Sequence, residues 1–153
     1  MLLQFGDGKP YATGATNYQY RPVTEREKTP RIVVSILIDD VRTLAFVDTG
    51  GVYAICPPDI ALELNLASQD GIPTEPILWR GNILRGTLYR IPTTIIAETG
   101  NSLRIVPTFF VPQLTPNQVW GDDFPCILGM SGCLERLRFA VDPGTDTFYF
   151  GGI

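Results

Sequence analysis

The stretch that decides the fold is Phe46-Val47-Asp48-Thr49-Gly50-Gly51. Two apolar residues end a predicted strand, and a carboxylate, a hydroxyl and two glycines follow directly. The buried end of a strand holds the next side chain rigidly, and the glycines allow the backbone to turn sharply just after it. The pattern therefore predicts an acid held at the start of a tight loop. The plainer interpretation is an Asp that only caps a turn.

Composition indicates one globular, β-rich domain. The chain has 153 residues, of which 44% are hydrophobic and 18% charged, enough for a single domain with its own core. Its 15 glycines and 13 prolines, with many Val, Ile, Thr and aromatic residues, favour short strands and turns over long helices. The net charge is −4, without a basic block, so we expect no nucleic acid partner. No stretch is apolar enough to suggest a membrane partner.

The chain has no histidine, and this absence excludes catalytic mechanisms that use an imidazole as the base. Ser-His-Asp and Cys-His mechanisms lack their base. A Ser-Lys pair is disfavoured because both lysines, Lys9 and Lys28, lie in the polar N-terminal segment. Three cysteines are too few for a four-thiolate zinc site, so we expect no metal and no cofactor. Carboxylates remain as the groups available for acid–base work.

The three cysteines, Cys56, Cys126 and Cys133, each lie in an apolar context. This predicts buried free thiols, although a disulfide between two of them stays open at this point. Free thiols are typical of a reducing compartment. The N-terminus has no basic segment and no long apolar run, so no signal peptide is predicted. The expected location is cytoplasmic.

The chain divides into a predicted N-terminal arm, residues 1–30, and a predicted domain, residues 31–153. The arm is polar, without clear periodicity, and is expected to be loosely ordered or laid over the domain. Within the domain, residues 31–38 and 42–47 predict a hairpin that delivers Asp48. The further predicted elements are helical turns at 57–64, strands at 75–79, 84–91, 93–97 and 103–111, a long loop at 112–124, a strand at 125–129, a brief helix at 130–137 and a last hairpin at 138–150. Asp122, Asp123 and Asp142 are interpreted as surface or turn residues.

The order of these elements resembles that of the retropepsin-like aspartic proteases, the single-lobe, homodimeric relatives of pepsin, and looks closest to their bacterial members. Two motifs carry the resemblance: Asp48-Thr49-Gly50 after an apolar strand, and Ile127-Leu128-Gly129 before a helix and a final hairpin. The resemblance covers residues 31–151. Gly51 stands where the family commonly has Ala, and Ser131-Gly132 stands where bacterial relatives tend to have Asp-Phe.

The resemblance implies an all-β fold, a retropepsin-like closed β-barrel. It implies one short helix near the C-terminus and allows a second short helical turn after the Asp-Thr-Gly loop. It also implies a flap, a hairpin that excludes water and hydrogen-bonds the substrate. On this basis Trp79, Arg80, Gly81 and Asn82 lie near the flap tip. The alternative for this hairpin is a surface hairpin whose Trp packs locally.

The resemblance further implies an aspartic endopeptidase that hydrolyses peptide or protein substrates. Such chemistry needs two carboxylates that share a proton, one to activate water and one to protonate the carbonyl oxygen. The chain supplies one, Asp48, so a working site requires a homodimer. Thr49 matches the threonine that hydrogen-bonds across the dimer axis, and Gly50 matches the glycine that lets the backbone approach the substrate. Leu128 and Gly129 match the motif that packs behind this loop as structural support.

Two other functions remain open at the level of the sequence. One is a non-catalytic dimer of the same fold that binds peptide or scaffolds a partner. The other is a small β-barrel adaptor that uses its exposed strand edges for β-augmentation. The intact Asp48-Thr49-Gly50 favours the protease over the binding dimer, since a binding module need not retain the acid. The adaptor predicts a monomer in which Asp48 faces no symmetry mate.

Overall fold

The computed structural model describes residues 2–113 and 124–153. These residues form a mostly β fold, which confirms the all-β prediction. The part of the predicted loop that carries Asp122 and Asp123 lies outside the described residues. The strands are β1 (Gly14–Asn17), β2 (Gln19–Arg21), β3 (Arg31–Ile38), β4 (Val41–Val47), β5 (Ala54–Ile55), β6 (Ile72–Pro73), β7 (Ile77–Trp79), β8 (Asn82–Arg90), β9 (Thr93–Ile95), β10 (Thr99–Gly100), β11 (Leu103–Ile105), β12 (Thr108–Gln113), β13 (Cys126–Leu128), β14 (Leu137–Asp142) and β15 (Thr147–Gly152).

The centre of the larger sheet is the hairpin β3–β4, with β13 added in parallel beside β4. In β3, alternate residues Val34, Ile36 and Ile38 are at most 1% exposed, as the period-two pattern of a half-buried strand requires. Phe46 of β4 lies opposite Ile127 of β13. β4 ends at Val47, directly before Asp48. The buried centre of the sheet therefore holds the backbone from which the Asp48 side chain extends.

The expected closed barrel is not what forms. Among the described residues, the strands make a four-stranded sheet, β10-β1-β15-β14, and an eleven-stranded sheet that runs from β11 to β6, with β2 and β7 paired at its side; both sheets are open. The edge strand β6 has only two residues, and the second is Pro73. Because proline has no N–H to donate, the ladder cannot continue across it.

Of the two expected helical segments, the first is confirmed and the second is shorter than predicted. The α-helix, α1 (Pro58–Glu63), follows the Asp48 loop, where the sequence indicated helical turns, with Pro58 and Asp59 in its first turn. The helix predicted near the C-terminus is shortened to a single 3-10 turn, Leu134–Arg136. Gly132 has a φ of 71° just before it, and β14 begins directly after it, so no room remains for a longer helix.

All three cysteines are buried and free, which confirms the prediction of free thiols and leaves no disulfide. Burial raises the pKa of Cys56 and of Cys133 to about 12, and it raises the pKa of Cys126 well above its usual value. Since the thiolate is the nucleophile and burial disfavours it, these thiols are poorly suited to act as nucleophiles at neutral pH. Catalysis by a cysteine is therefore not a competing explanation for the site described below.

The N-terminal residues lie along the rest of the chain. Strand β1 is placed between β10 and β15 in the four-stranded sheet, and β2 pairs with β3. The Tyr11 hydroxyl donates to the Phe139 carbonyl at 2.7 Å, and Tyr18 is buried. These contacts describe how residues 2–21 are held, and the domain boundary at residue 31 stays a prediction.

Within residues 2–113 and 124–153, the structure contains no helix with the length and apolar character that crossing a bilayer requires.

Candidate active site

Asp48 is held by hydrogen bonds on three of its groups. Its N–H donates to the Leu128 carbonyl at 3.0 Å, and its carbonyl accepts the Gly51 N–H at 3.1 Å. Its side-chain Oδ1 accepts the Gly50 N–H at 3.1 Å. The residue is half-buried. The carboxylate is thus oriented by its own loop, while its Oδ2 accepts no hydrogen bond from the described residues.

The segment after β13 supports this loop from behind. The Met130 N–H donates to the Gly51 carbonyl at 2.8 Å, and the Ser131 N–H donates to the Val52 carbonyl at 2.6 Å. Gly129, which follows β13, is in close contact with the chain after the Asp48 loop. A Cβ at this position would lie 2.1 Å from the Tyr53 carbonyl oxygen. Only glycine permits this approach. Leu128 is 1% exposed and meets Asp48 through its carbonyl.

Thr49, Gly50 and Gly51 follow Asp48 in the loop. Thr49 and Gly50 are exposed, so both are open to contact from another molecule. A Cβ at Gly51 would lie 3.2 Å from Asp48 Oδ2. The glycine at this position therefore keeps the second carboxylate oxygen clear of a methyl group that would otherwise touch it.

The hairpin of β7 and β8 has a defined register at its tip. Trp79 lies opposite Asn82, so Arg80 and Gly81 form a two-residue turn. Both have positive φ, 50° and 78°, as in a type I′ turn. The Asn82 side-chain amide donates to the Arg80 carbonyl at 3.3 Å. The sequence located this hairpin but left the register of its tip open.

A cavity of about 180 Å³ lies between the Asp48 loop and the hairpin. It brings together four of the residues predicted from the sequence: Asp48 and Gly50 of the loop, and Trp79 and Arg80 of the hairpin tip. Thr49, Gly81, Asn82, Leu128 and Gly129 do not line it. The remaining lining residues are Gly51, Val52, Tyr53, Ile55, Ile77, Leu78 and Ile127. Among the described lining residues, Asp48 and Arg80 carry the charges, and most of the other side chains are aliphatic or aromatic.

A larger cavity of about 300 Å³ lies elsewhere, beside β1 and β15. Its acid, Glu98, already accepts the Asn17 N–H at 2.7 Å. Among the described residues that line it, the other polar side chains are hydroxyls and an amide, and none is suited to act with that acid. In the described part of the chain, no group of three or more Cys, Asp and Glu side chains is arranged to hold a metal ion.

Sequence reasoning did not identify the residues that contact the hairpin tip. Glu27, from the predicted arm, forms an ion pair with Arg80. Phe124 stacks on Trp79 with ring centroids 5.0 Å apart. Glu27 is 53 residues from Arg80 in sequence, and no local pattern marks such a contact. The exposed apolar side chains Val52 and Leu78 at the cavity mouth, 63% and 76% exposed, were likewise not identified.

No protein-family model and no curated protein matches the chain. Among solved structures, the chain is similar to a retropepsin-like aspartic protease from Rickettsia conorii, at 18% sequence identity and a TM-score of 0.52. The match covers 82% of this chain and 93% of that one. At this level of identity the likeness shows the fold, and the described chain therefore has a retropepsin-like, all-β fold.

Proposed function

We propose that the chain is an aspartic endopeptidase that acts as a homodimer, with one Asp48 contributed by each copy. The observation that carries the proposal is the placement of Asp48. It is half-buried, held by three hydrogen bonds and located in a cavity whose far wall is a hairpin. A retropepsin-like fold with an oriented acid at this point supports peptidase chemistry more directly than any other reaction class.

The requirement for a second copy follows from the chemistry. Peptide hydrolysis by carboxylates needs one group to take a proton from water and another to give one to the carbonyl oxygen. Among the described residues that line the cavity, Asp48 supplies the single carboxylate. A two-fold axis beside the exposed Thr49 and Gly50 would bring a second Asp48 alongside the first. In that dimer Thr49 hydrogen-bonds across the axis.

The apolar surface at the cavity mouth supports the same assembly. Val52, Leu78 and Ile83 are each more than 60% exposed, and Ile83 lies opposite Leu78 in the hairpin. Clustered apolar side chains beside a cleft are typical of a surface that another molecule covers. A second copy would cover these side chains around the paired acids.

In the proposed reaction, two Asp48 carboxylates share one proton because like charges at about 3 Å cannot both ionise. The ionised carboxylate removes a proton from a water molecule as this water attacks the peptide carbonyl. The protonated carboxylate donates to the carbonyl oxygen, which gives a tetrahedral gem-diol. The carboxylate that took the proton of water then gives a proton to the amide nitrogen as the C–N bond breaks, and the other carboxylate recovers a proton from a gem-diol hydroxyl, so that an amine and a carboxylic acid are released. The hairpin, with Trp79, Arg80, Gly81 and Asn82 at its tip, acts as the flap that excludes bulk water. No cofactor is needed.

The substrate class is a peptide or protein with apolar side chains near the cleaved bond, because most cavity-lining side chains are aliphatic or aromatic. The three free thiols fit a reducing compartment such as the cytoplasm. One alternative has an observation in its favour. An apolar cavity with an exposed apolar rim also suits a non-catalytic dimer that binds peptide.

The test is cleavage of a peptide mixture by the parent chain, Asp48→Asn and Asp40→Asn, at several pH values from acidic to neutral. Asp40 is an exposed turn residue and serves as the control. We expect Asp48→Asn to lose about 10²- to 10⁴-fold in rate, the contribution of a general acid–base group, and Asp40→Asn to keep the parent rate. Equal cleavage by the parent and Asp48→Asn would overturn the assignment. Peptide binding without cleavage in both would favour the binding dimer.

A further inference from the structure

The tip of the β7–β8 hairpin extends beyond the sheet that carries it. From Arg85 to Arg90, β8 pairs with β12. From Asn82 to Leu84 it pairs with β7, and in the described residues no third strand joins this part. A two-stranded ribbon is only marginally stable by its own ladder. The position of the tip therefore depends on side-chain contacts.

One of these contacts is the ion pair between Glu27 and Arg80. It joins the predicted arm to the turn of the hairpin. The Glu27 side chain is 6% exposed and the Arg80 side chain 31% exposed, so the carboxylate is nearly removed from solvent. A carboxylate in that position requires its charged partner, because breaking the pair would leave the charge poorly solvated.

Arg80 is also held by aromatic rings. Its guanidinium carbon lies 4.4 Å from the centroid of the Trp79 ring and 6.0 Å from that of Phe46, within the range of a cation–π contact. Phe46 belongs to β4, the strand that ends at Asp48. The side chain thus connects three parts of the chain: the arm, the hairpin and the central strand.

The arm also contributes one apolar side chain, that of Val23, beside the hairpin. Val23 and Phe124 belong to the buried cluster against which Ile77 and Trp79 pack. We name residues 22–28 the N-terminal strap. The strap therefore approaches the hairpin with a buried apolar residue, Val23, and a buried acid, Glu27.

The backbone at Arg80 supports a role for its side chain. Its φ of 50° lies in the left-handed region, which Gly and Asn adopt more readily than Arg. The other hairpin turns with positive φ at a non-glycine residue have the short polar side chains of Asp39 and Asp146. An arginine here is explained by what its guanidinium contacts.

We propose that the N-terminal strap holds the hairpin as a closed wall of the Asp48 cavity, with the Glu27–Arg80 ion pair as its latch. The hairpin lifts when this pair breaks, and a substrate reaches Asp48 from that side only after it has lifted. The consequence for cleavage rests on the proposed function. The closure itself is a property of the free chain and is tested without substrate.

The test is amide hydrogen exchange in the parent, Glu27→Gln and Glu25→Gln. Glu25 is an exposed acid of the same strap and is the matched control. We expect amides of residues 77–84 to exchange about tenfold faster in Glu27→Gln, the loss expected for one charged hydrogen bond. Amides of β3 should keep their protection, and Glu25→Gln should behave as the parent. Unchanged exchange at residues 77–84 in Glu27→Gln would overturn the latch.

Swapping the two charges provides a second test if the amides of Glu27→Gln lose their protection from hydrogen exchange throughout the chain. The double variant Glu27→Arg, Arg80→Glu restores an ion pair of reversed polarity. We expect it to exchange more slowly at residues 77–84 than Arg80→Glu alone. Equal exchange in these two variants, with β3 protected in both, would show that the pair does not hold the hairpin.

The two proposals fail separately. Asp48→Asn should leave exchange at residues 77–84 as in the parent, so loss of cleavage in that variant says nothing against the latch. Conversely, a hairpin that is insensitive to Glu27 would leave the dependence of cleavage on Asp48 unaffected.

Discussion

At the scale of single residues, Gly129 allows the segment after β13 to pack against the chain that follows the Asp48 loop. Gly129→Ala would place a methyl group 2.1 Å from the Tyr53 carbonyl oxygen, so one backbone segment must move. We expect a loss of about 1–3 kcal/mol in the free energy of unfolding, as overpacking costs elsewhere. Urea unfolding measures it, with Gly152→Ala as the control because a Cβ there meets nothing within 4 Å. Equal midpoints for the two variants would contradict the supporting role of Gly129.

Also at this scale, the sequence predicts groups that are adjacent in the chain, but it does not predict contacts between residues that are far apart in the chain. Asp48 and the glycines after it were recognisable because a strand end, an acid and a turn are adjacent in the chain. Glu27 was not recognisable, since its contact with Arg80 spans 53 residues. Arg80 itself was identified by position in a predicted turn, and nothing in the sequence indicated that its charge is paired.

At the scale of elements, deletion of β1 tests whether the N-terminal residues are a separate arm or an integral part of the sheet. It lies between β10 and β15, with Gly14 opposite Phe150 and Asn17 opposite Thr147. Deletion of residues 1–21 would leave β15 with an open edge. We expect the deleted chain to unfold at clearly lower urea concentration than the parent. A midpoint equal to that of the parent would instead indicate that these residues form a dispensable arm, as a boundary at residue 31 implies.

The elements that could be predicted are those made by neighbours in the chain. The β3–β4 and β14–β15 hairpins follow from alternating apolar residues on either side of turn residues. The parallel pairing of β13 with β4 joins residues about 80 positions apart, and no turn signals it. The resemblance supplied the expectation of a closed barrel, whereas the two-residue strand β6, ending in Pro73, leaves an open edge.

At the scale of the whole molecule, the central claim is that one chain carries half of an active site. The likeness to the Rickettsia conorii protease supports the fold, at 18% identity, and leaves catalysis to experiment. The described residues place one carboxylate, that of Asp48, in the cavity, and Thr49 next to it is exposed. These two features are the reason for proposing a second copy. We therefore expect activity to depend on the number of dimers in which both copies carry Asp48.

The most direct measurement is a mixing titration. Parent and Asp48→Asn chains are mixed in varying proportions at constant total concentration, allowed to exchange subunits, and assayed for peptide cleavage. If both acids of a site come from different copies, each mixed dimer is inactive. Activity should then fall with the fraction of parent–parent dimers, to about one quarter when parent is half of the chains at constant total concentration, by random pairing. Activity that stays proportional to the amount of parent chain would contradict the shared site.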